Sequence, residues 1–383
     1  MENVLARSQS LVESFEAVVR AELPAAVEIF DAHVHLGTDI DGMTGELDGL
    51  LRIQERAGIS RSFVFCLDEP DRHPGFRAPN DRTLEFASRS GGALVPFVRL
   101  DLAESPIDEA VRCLDLGARG IKLHPRAQKF LLDDDRLAPI FELAAARQVP
   151  ILIHGGRGLP PIADALARLM DAYEPQLIIA HAGIADLAAL ARHFSGRPGV
   201  FFDTSVWSAL DLLDLYRLVA PEQVLYASDY PYGQQPGSLL VALRTARLAG
   251  LEDSRLRAML GGSATRIANA EPALPLSSPR GPADISTPIT FARIHQYLSM
   301  AIPLLWTRQA DTIGVLGLAL NACDERSNGH RESTDQIREL LLATRDLWRV
   351  LPEAEDADRA HTARTAFRLL HLANVLAVTS PDK

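Results

Sequence analysis

Short apolar runs, each closed by a polar residue and most followed by a helical pattern, recur through the middle of the chain. They fall at 27–35 (VEIFDAHVH), 62–67 (SFVFCL), 94–100 (LVPFVRL), 118–124 (ARGIKLH), 149–154 (VPILIH), 177–181 (LIIAH), 200–205 (VFFDTS) and 224–229 (VLYASD). Between them, 46–57 (ELDGLLRIQERA), 137–148 (LAPIFELAAARQ) and 161–173 (PIADALARLMDAY) carry apolar residues at helical spacing. Continuous apolar strands alternating with helices are the pattern of a parallel sheet covered on its faces. Eight such units over roughly 250 residues predict a closed (β/α)8 barrel, a TIM barrel of the α/β class. A doubly wound open sheet is the main rival, but no GxGxxG follows the first strand.

The pattern changes at both ends. Val4, Leu5, Leu11, Val12, Phe15, Val18 and Val19 recur at helical intervals over 3–22, which predicts an amphipathic helix ahead of the barrel. The segment 271–288 (EPALPLSSPRGPADISTP) holds five prolines and no periodicity, the texture of a linker. Beyond it, 289–322 (interrupted at Pro303), 332–351 and 356–379 are helical in pattern. The expected organisation is an N-terminal helix (1–24), a barrel (25–270), a Pro-rich linker (271–288) and an all-α C-terminal region (289–383).

Composition narrows the function classes. The net charge of −11 opposes a nucleic-acid or anionic-membrane partner, both of which select basic patches. Cys66, Cys113 and Cys323 are odd in number and widely spaced, so no disulfide framework or zinc–cysteine site is expected. No signal sequence and no run of about 18 apolar residues is visible, so a cytoplasmic location is expected.

The polar residues that close the strands carry the chemistry. His33 and His35 lie two apart in FDAHVHLG and so project from one face of an extended strand. Alone, HxH fits two satisfied core histidines, an exposed edge or a metal pair. The other strand ends weigh on the choice. Lys122 and His124 close the fourth strand, His154 the fifth, His181 the sixth and Asp229 the eighth. In a (β/α)8 barrel these ends face one pocket. Several neutral imidazoles and one carboxylate suit a divalent transition metal with a position left open for water.

The pieces FDAHVHLG, GARGIKLHP (117–125), ILIHGG (151–156), LIIAHAG (177–183), FFDTS (201–205), VLYASDYPYG (224–233) and GGSATRIA (261–268) occur in the order found in the amidohydrolase superfamily. Over residues 27–270 the chain resembles its subgroup of metal-dependent hydrolases and decarboxylases related to aminocarboxymuconate-semialdehyde decarboxylase. The resemblance implies ligation of one divalent ion, zinc or else manganese, by His33, His35, His154 and Asp229. It implies His181 as an acid/base or substrate-polarising group. A lysine at the end of strand four is carbamylated and bridges two metals in other branches, and Lys122 stands there; the reading preferred here is a cation pairing with Asp229 or with substrate, or a structural lysine. Residues 271–383 lie outside the resemblance.

Several neighbours are candidates for support. Asp31 shares a strand face with His33 and His35 by simple alternation and could orient an imidazole or bind backbone. Asp203 and Ser205 could do the same from strand seven, and His124 could stand behind the ligands. Arg99, Arg126 and Arg157 follow strands three to five and could bind a carboxylated substrate in bidentate fashion. Trp207 and Tyr232 could wall the pocket. His295, His330, His361 and His371 lack ligand spacing and are expected on helix surfaces. The expected activity is hydrolysis of an amide, ester or lactone bond of a small molecule, with Asp229 as general base; the alternative is non-oxidative decarboxylation of an unsaturated or aromatic acid at the same site. A homodimer is expected, with the helical region as oligomerisation or lid element.

Overall fold

The computed structural model describes residues 2–281, 287–307, 309, 311–325, 330–353 and 356–380. Nine strands form one sheet: β1 (Ile29–Thr38), β2 (Thr44–Gly45), β3 (Ile59–Cys66), β4 (Leu94–Arg99), β5 (Gly120–Leu123), β6 (Ile151–Ile153), β7 (Leu177–Ile179), β8 (Val200–Asp203) and β9 (Val224–Leu225). Their order is β2-β1-β3-β4-β5-β6-β7-β8-β9. All neighbours run parallel except the short β1–β2 pair. The chain beyond β9 returns to β1: Ala32 N–H donates to Tyr226 O at 2.8 Å, Asp229 N–H to His33 O at 2.9 Å and His35 N–H to Tyr230 O at 2.7 Å. The eight apolar runs therefore make a closed parallel barrel, as their spacing predicts. The antiparallel β2 pairs with the end of β1 and has no counterpart in the pattern.

Alternation sorts the side chains. Phe30, Ala32, Phe63, Phe65, Phe97, Leu152, Ile178, Phe201 and Leu225 fill the barrel interior. Val98, Ile121, Ile151, Ile179, Val200 and Phe202 join the layer between strands and helices. In β1 the alternation is interrupted. From Asp31 to Val34 this strand advances three residues while β3 advances two, from Ser62 to Val64. One extra residue is a bulge, and it exchanges the faces. Phe30 and Ala32 point inward before it, His33 and His35 after it. Asp31 therefore does not share their face, contrary to simple alternation.

The C-terminal helices are Ile289–Trp306, Thr312–Asp324, Arg331–Val350 and Asp356–Thr379. Pro303 does not end the first of them, which runs one further turn with Thr307 N–H bonded to Pro303 O at 3.0 Å. Phe291, Ile294, Leu298, Leu316, Leu340, Leu369 and Leu376 belong to the same apolar cluster as the barrel's outer layer. The last helix contacts both the helix Glu2–Glu22 and the barrel helix Gly237–Leu248. The segment 271–281 carries no helix or strand, and Ser277 is bonded to Glu222 on the barrel. The rest of the expected linker, 282–286, lies outside the described residues.

His371 corrects the expectation of a surface residue. It is 6% exposed and bonds through Nε2 to the Trp207 carbonyl at 3.2 Å. Burial pulls its pKa from 6.5 down to about 4. The unfolded chain takes up this proton near pH 6.5, and the folded chain refuses it until about pH 4. A destabilisation on the order of 3 kcal/mol thus builds as the pH falls through that window. His371→Gln keeps a donor for the carbonyl but does not titrate. Its urea midpoint is expected to fall less than that of the parent chain between pH 7 and pH 5.

Candidate metal centre

The bulge in β1 and the return of the chain after β9 bring three ligand atoms together. His33 Nε2 and His35 Nε2 are 3.2 Å apart, and Asp229 Oδ1 is 3.3 Å from the first and 3.4 Å from the second. Ligand atoms of these three side chains lie within 4.8 Å of one another. The other ring nitrogens are committed as donors: His33 Nδ1–H to Asp203 Oδ2 at 2.7 Å and His35 Nδ1–H to the Cys66 carbonyl at 3.3 Å. Both Nε2 atoms then present lone pairs to each other and to a carboxylate oxygen. Such convergence is repulsive by itself and suits a cation. Burial lowers the pKa of both imidazoles, keeping them in the neutral form that ligates.

Asp203 organises the site from the end of β8. It is fully buried, and Oδ1 accepts the backbone N–H groups of His181 at 2.8 Å and Ser205 at 3.0 Å, as well as the Ser205 hydroxyl. One carboxylate thus fixes both the His33 ring and the strand end that carries His181. His181 Nδ1–H donates to the Ser205 carbonyl at 2.9 Å, leaving Nε2 as the ring nitrogen free to meet a bound molecule. His181 and Asp229 both have positive φ, +57° and +60°. Strained backbone at two polar strand ends concentrates at this site, as it does where function sets the geometry.

His154 stands beside this group. Its ring stacks on His124 with centroids 4.0 Å apart and meets His181 edge-on at 4.6 Å. Both of its ring nitrogens are buried without a hydrogen-bond partner among the described residues. Buried polar atoms are nearly always satisfied, so an unpaired imidazole here is a vacant donor atom for a metal or substrate. The space for these rings depends on Gly156, where a Cβ would lie 2.8 Å from His154 Cε1 and 3.0 Å from His181 Cδ2. His124 itself caps a short helix, its Nδ1 accepting from Ala127 N–H at 3.2 Å.

Lys122 is wholly buried. Its Nζ lies 3.3 Å from His33 Nε2 and 4.4 Å from the Phe65 ring centroid, and burial lowers its pKa to about 7. Asp31 reaches no imidazole. Its Oδ1 accepts the backbone N–H groups of His33 at 3.2 Å and Ser228 at 2.9 Å, so it ties β1 to the chain after β9. Arg99 is buried under the loop after β3, donating to the Cys66 carbonyl at 3.3 Å beside His35.

A cleft of about 450 Å³ opens over His154, His181 and Asp229. Arg126, Arg157 and Trp207 line it, with Arg157 held by Asp211 at 3.2 Å. Ser299, Ile302, Pro303 and Asn374 close its far side. These come from the C-terminal helices, and no strand-end pattern marks them in the sequence. Asn374 is 3% exposed, and its Oδ1 accepts from His295 Nδ1–H at 2.7 Å. Its amide nitrogen is then the donor left for the cleft.

A profile of the amidohydrolase family matches residues 30–267. No protein with a curated description matches the chain. Among solved structures, the chain is similar to a probable 2-pyrone-4,6-dicarboxylic acid hydrolase of Acinetobacter baumannii, at 11% identity over 63% of this chain and 99% of that one, TM-score 0.51. It is also similar to the 5-carboxyvanillate decarboxylase of Sphingomonas paucimobilis, at 15% identity over 64% and 99%, TM-score 0.49. A third is the IDCase of Metarhizium anisopliae, at 16% identity over 63% and 97%, TM-score 0.48. The match to the first supports the barrel. Among the described residues, no helix is long and apolar enough to cross a membrane.

Proposed function

Since this chain belongs to the amidohydrolase family, we propose that it is a metal-dependent hydrolase of an amide, ester or lactone bond in a small, carboxylated molecule. The observation that carries the reading is the position of Asp229. Its Oδ1 meets both imidazole Nε2 atoms, and the residue also lines the cleft. One carboxylate can therefore serve the metal and the reacting water together.

His33, His35 and Asp229 would hold one divalent ion, zinc or manganese, with His154 as the fourth ligand through an unpaired ring nitrogen. A bound divalent ion supplies Lewis acidity, which lowers the pKa of water and polarises a carbonyl. Asp229 takes the proton of the attacking water and returns it to the leaving group. His181, held through Nδ1, exchanges a proton or hydrogen bond with the substrate oxygen at Nε2. Asp203 keeps His33 in the tautomer that presents Nε2. Arg126 lines the cleft with no carboxylate partner among the described residues and is placed to receive a substrate carboxylate.

That same arginine favours a second reading, non-oxidative decarboxylation, in which the carboxylate it would bind leaves as carbon dioxide. The test is a screen of carboxylated esters, lactones and aromatic acids with protein purified without chelator. Reaction in ¹⁸O-labelled water is expected to place label in the product without release of carbon dioxide. Carbon dioxide release without label would replace hydrolysis by decarboxylation. Elemental analysis of the same sample is expected to give about one metal per chain, lost in His33→Ala. A folded protein that takes up no metal sinks both readings.

A further inference from the structure

A second cavity, of about 330 Å³, lies beside the metal cleft and shares the side chain of Trp207 with it. Its floor is the last helix, and its walls are the loop after β9 and the turn at Asp41–Met43. Trp207, Tyr232, Leu305 and Phe367 give it an apolar, largely aromatic lining. Two guanidinium groups, Arg364 and Arg368, line it as well. Both come from the C-terminal region, beyond the residues matched by the family profile.

The charges in this cavity are not balanced from within. Arg368 donates from Nη2 to the Gln235 carbonyl at 2.5 Å, but its Nε is enclosed and has no partner among the described residues. Glu13 and Glu16, on the N-terminal helix, are already paired with Arg56 at 3.0 and 2.8 Å. Asp41, the carboxylate on the cavity rim, accepts from the Tyr232 hydroxyl at 3.4 Å. Arg364 is in no ion pair among the described residues. An enclosed guanidinium N–H without an acceptor is costly, and an anion that reaches it recovers that cost. The volume lies within the range of small-molecule sites, and such sites combine apolar walls with a few polar anchors. Planar guanidinium forks fit a carboxylate better than a point charge does. The aromatic walls select an organic body over a bare inorganic anion.

We propose that this cavity is a binding site for an organic monoanion with an aromatic or bulky apolar body, its carboxylate held by Arg364 and Arg368. None of the candidate metal ligands lines it, although Tyr232 on its wall stands edge-on to His35 with ring centroids 6.3 Å apart, and the proposal does not depend on the hydrolytic reading. The occupant lies against Trp207, the wall common to both chambers.

The test is calorimetric titration of full-length protein purified without chelator with 2-naphthoate, and with 2-naphthamide as its neutral counterpart. One equivalent of the acid is expected to bind, with the amide at least about tenfold weaker, the scale of one charge-assisted hydrogen bond. Arg364→Gln is expected to lose about tenfold or more, and His33→Ala to bind as the parent does. Ala363→Phe fills the cavity and leaves both guanidinium groups in place; it is expected to abolish binding. If Arg364→Gln does not fold by its thermal melt, Ala363→Phe decides. Equal affinity for acid and amide overturns the proposal. So does unchanged binding in either cavity variant, or loss in His33→Ala, which would put the probe in the metal cleft.

Discussion

Asp229→Asn is expected to lower kcat by about 10³-fold on the substrate found in the screen, while the protein folds normally. The range follows from removing a positioned general base, which costs about 10² to 10⁴. Asparagine keeps the shape and one ligating oxygen but gives up the charge and the ability to take a proton. The metal is therefore held more weakly rather than lost, and the defect persists when metal is saturating. Asp203→Asn provides the contrast. Asp203 sits behind the site, donated to by His33 Nδ1, His181 N–H and Ser205. Its replacement disturbs the tautomer of His33 and is expected to weaken metal binding by about 10- to 100-fold, with much of the turnover restored by added metal. Kinetics at rising metal concentration separate the two. An Asp229→Asn enzyme within tenfold of the parent at saturating metal would remove Asp229 from the proton path.

Much of this arrangement was legible in the chain because barrels place chemistry by a simple rule. Five of the apolar runs end in chemistry-bearing polar residues at the same end of the sheet, so His33, His35, His154, His181 and Asp229 could be grouped without knowing a single distance. What alternation could not supply was the bulge in β1. One residue inserted between Asp31 and Val34 turns Asp31 to the outer face and leaves the support of His33 to Asp203, which is 170 positions away. A period-two pattern carries no mark of a one-residue insertion, since each half of the strand reads correctly by itself.

The C-terminal helices were legible as helices but not in where they lie. Their apolar spacing gives a buried face without naming its partner. Asn374 and Ser299 enter the cleft through tertiary packing alone, and His371 is buried because Trp207 offers it a carbonyl. Isolated polar residues on amphipathic helices read as surface, and only the neighbouring element decides otherwise.

The same packing makes a strong statement about truncation. A chain ending at residue 288 keeps every strand and every candidate ligand, so by sequence alone it is a complete barrel. It is nevertheless expected not to fold to a native state. The helix Gly237–Leu248 is buried on nearly all sides, with Leu239, Leu240, Val241, Ala242 and Leu243 fully enclosed. A helix that is apolar all round requires cover on its outer face as well as its inner one. That cover is the helix Asp356–Thr379, which also contacts the helix Glu2–Glu22, where Val12 and Phe15 are buried. Each such side chain returned to water forfeits about 1.5 to 3 kcal/mol. The outward-facing ones among them, together with Val12 and Phe15, amount to a large share of the stability of a typical domain, about 5 to 15 kcal/mol. The 1–288 chain is expected to lose near-ultraviolet circular dichroism, retain part of its far-ultraviolet signal, bind a hydrophobic dye and melt without a sharp transition. Co-expression with residues 289–383 as a separate chain is expected to restore a cooperative melt. A truncated chain that melts sharply and binds metal on its own would show the helices to be an appendage, and would detach the wall at Ser299 and Asn374 from the integrity of the barrel.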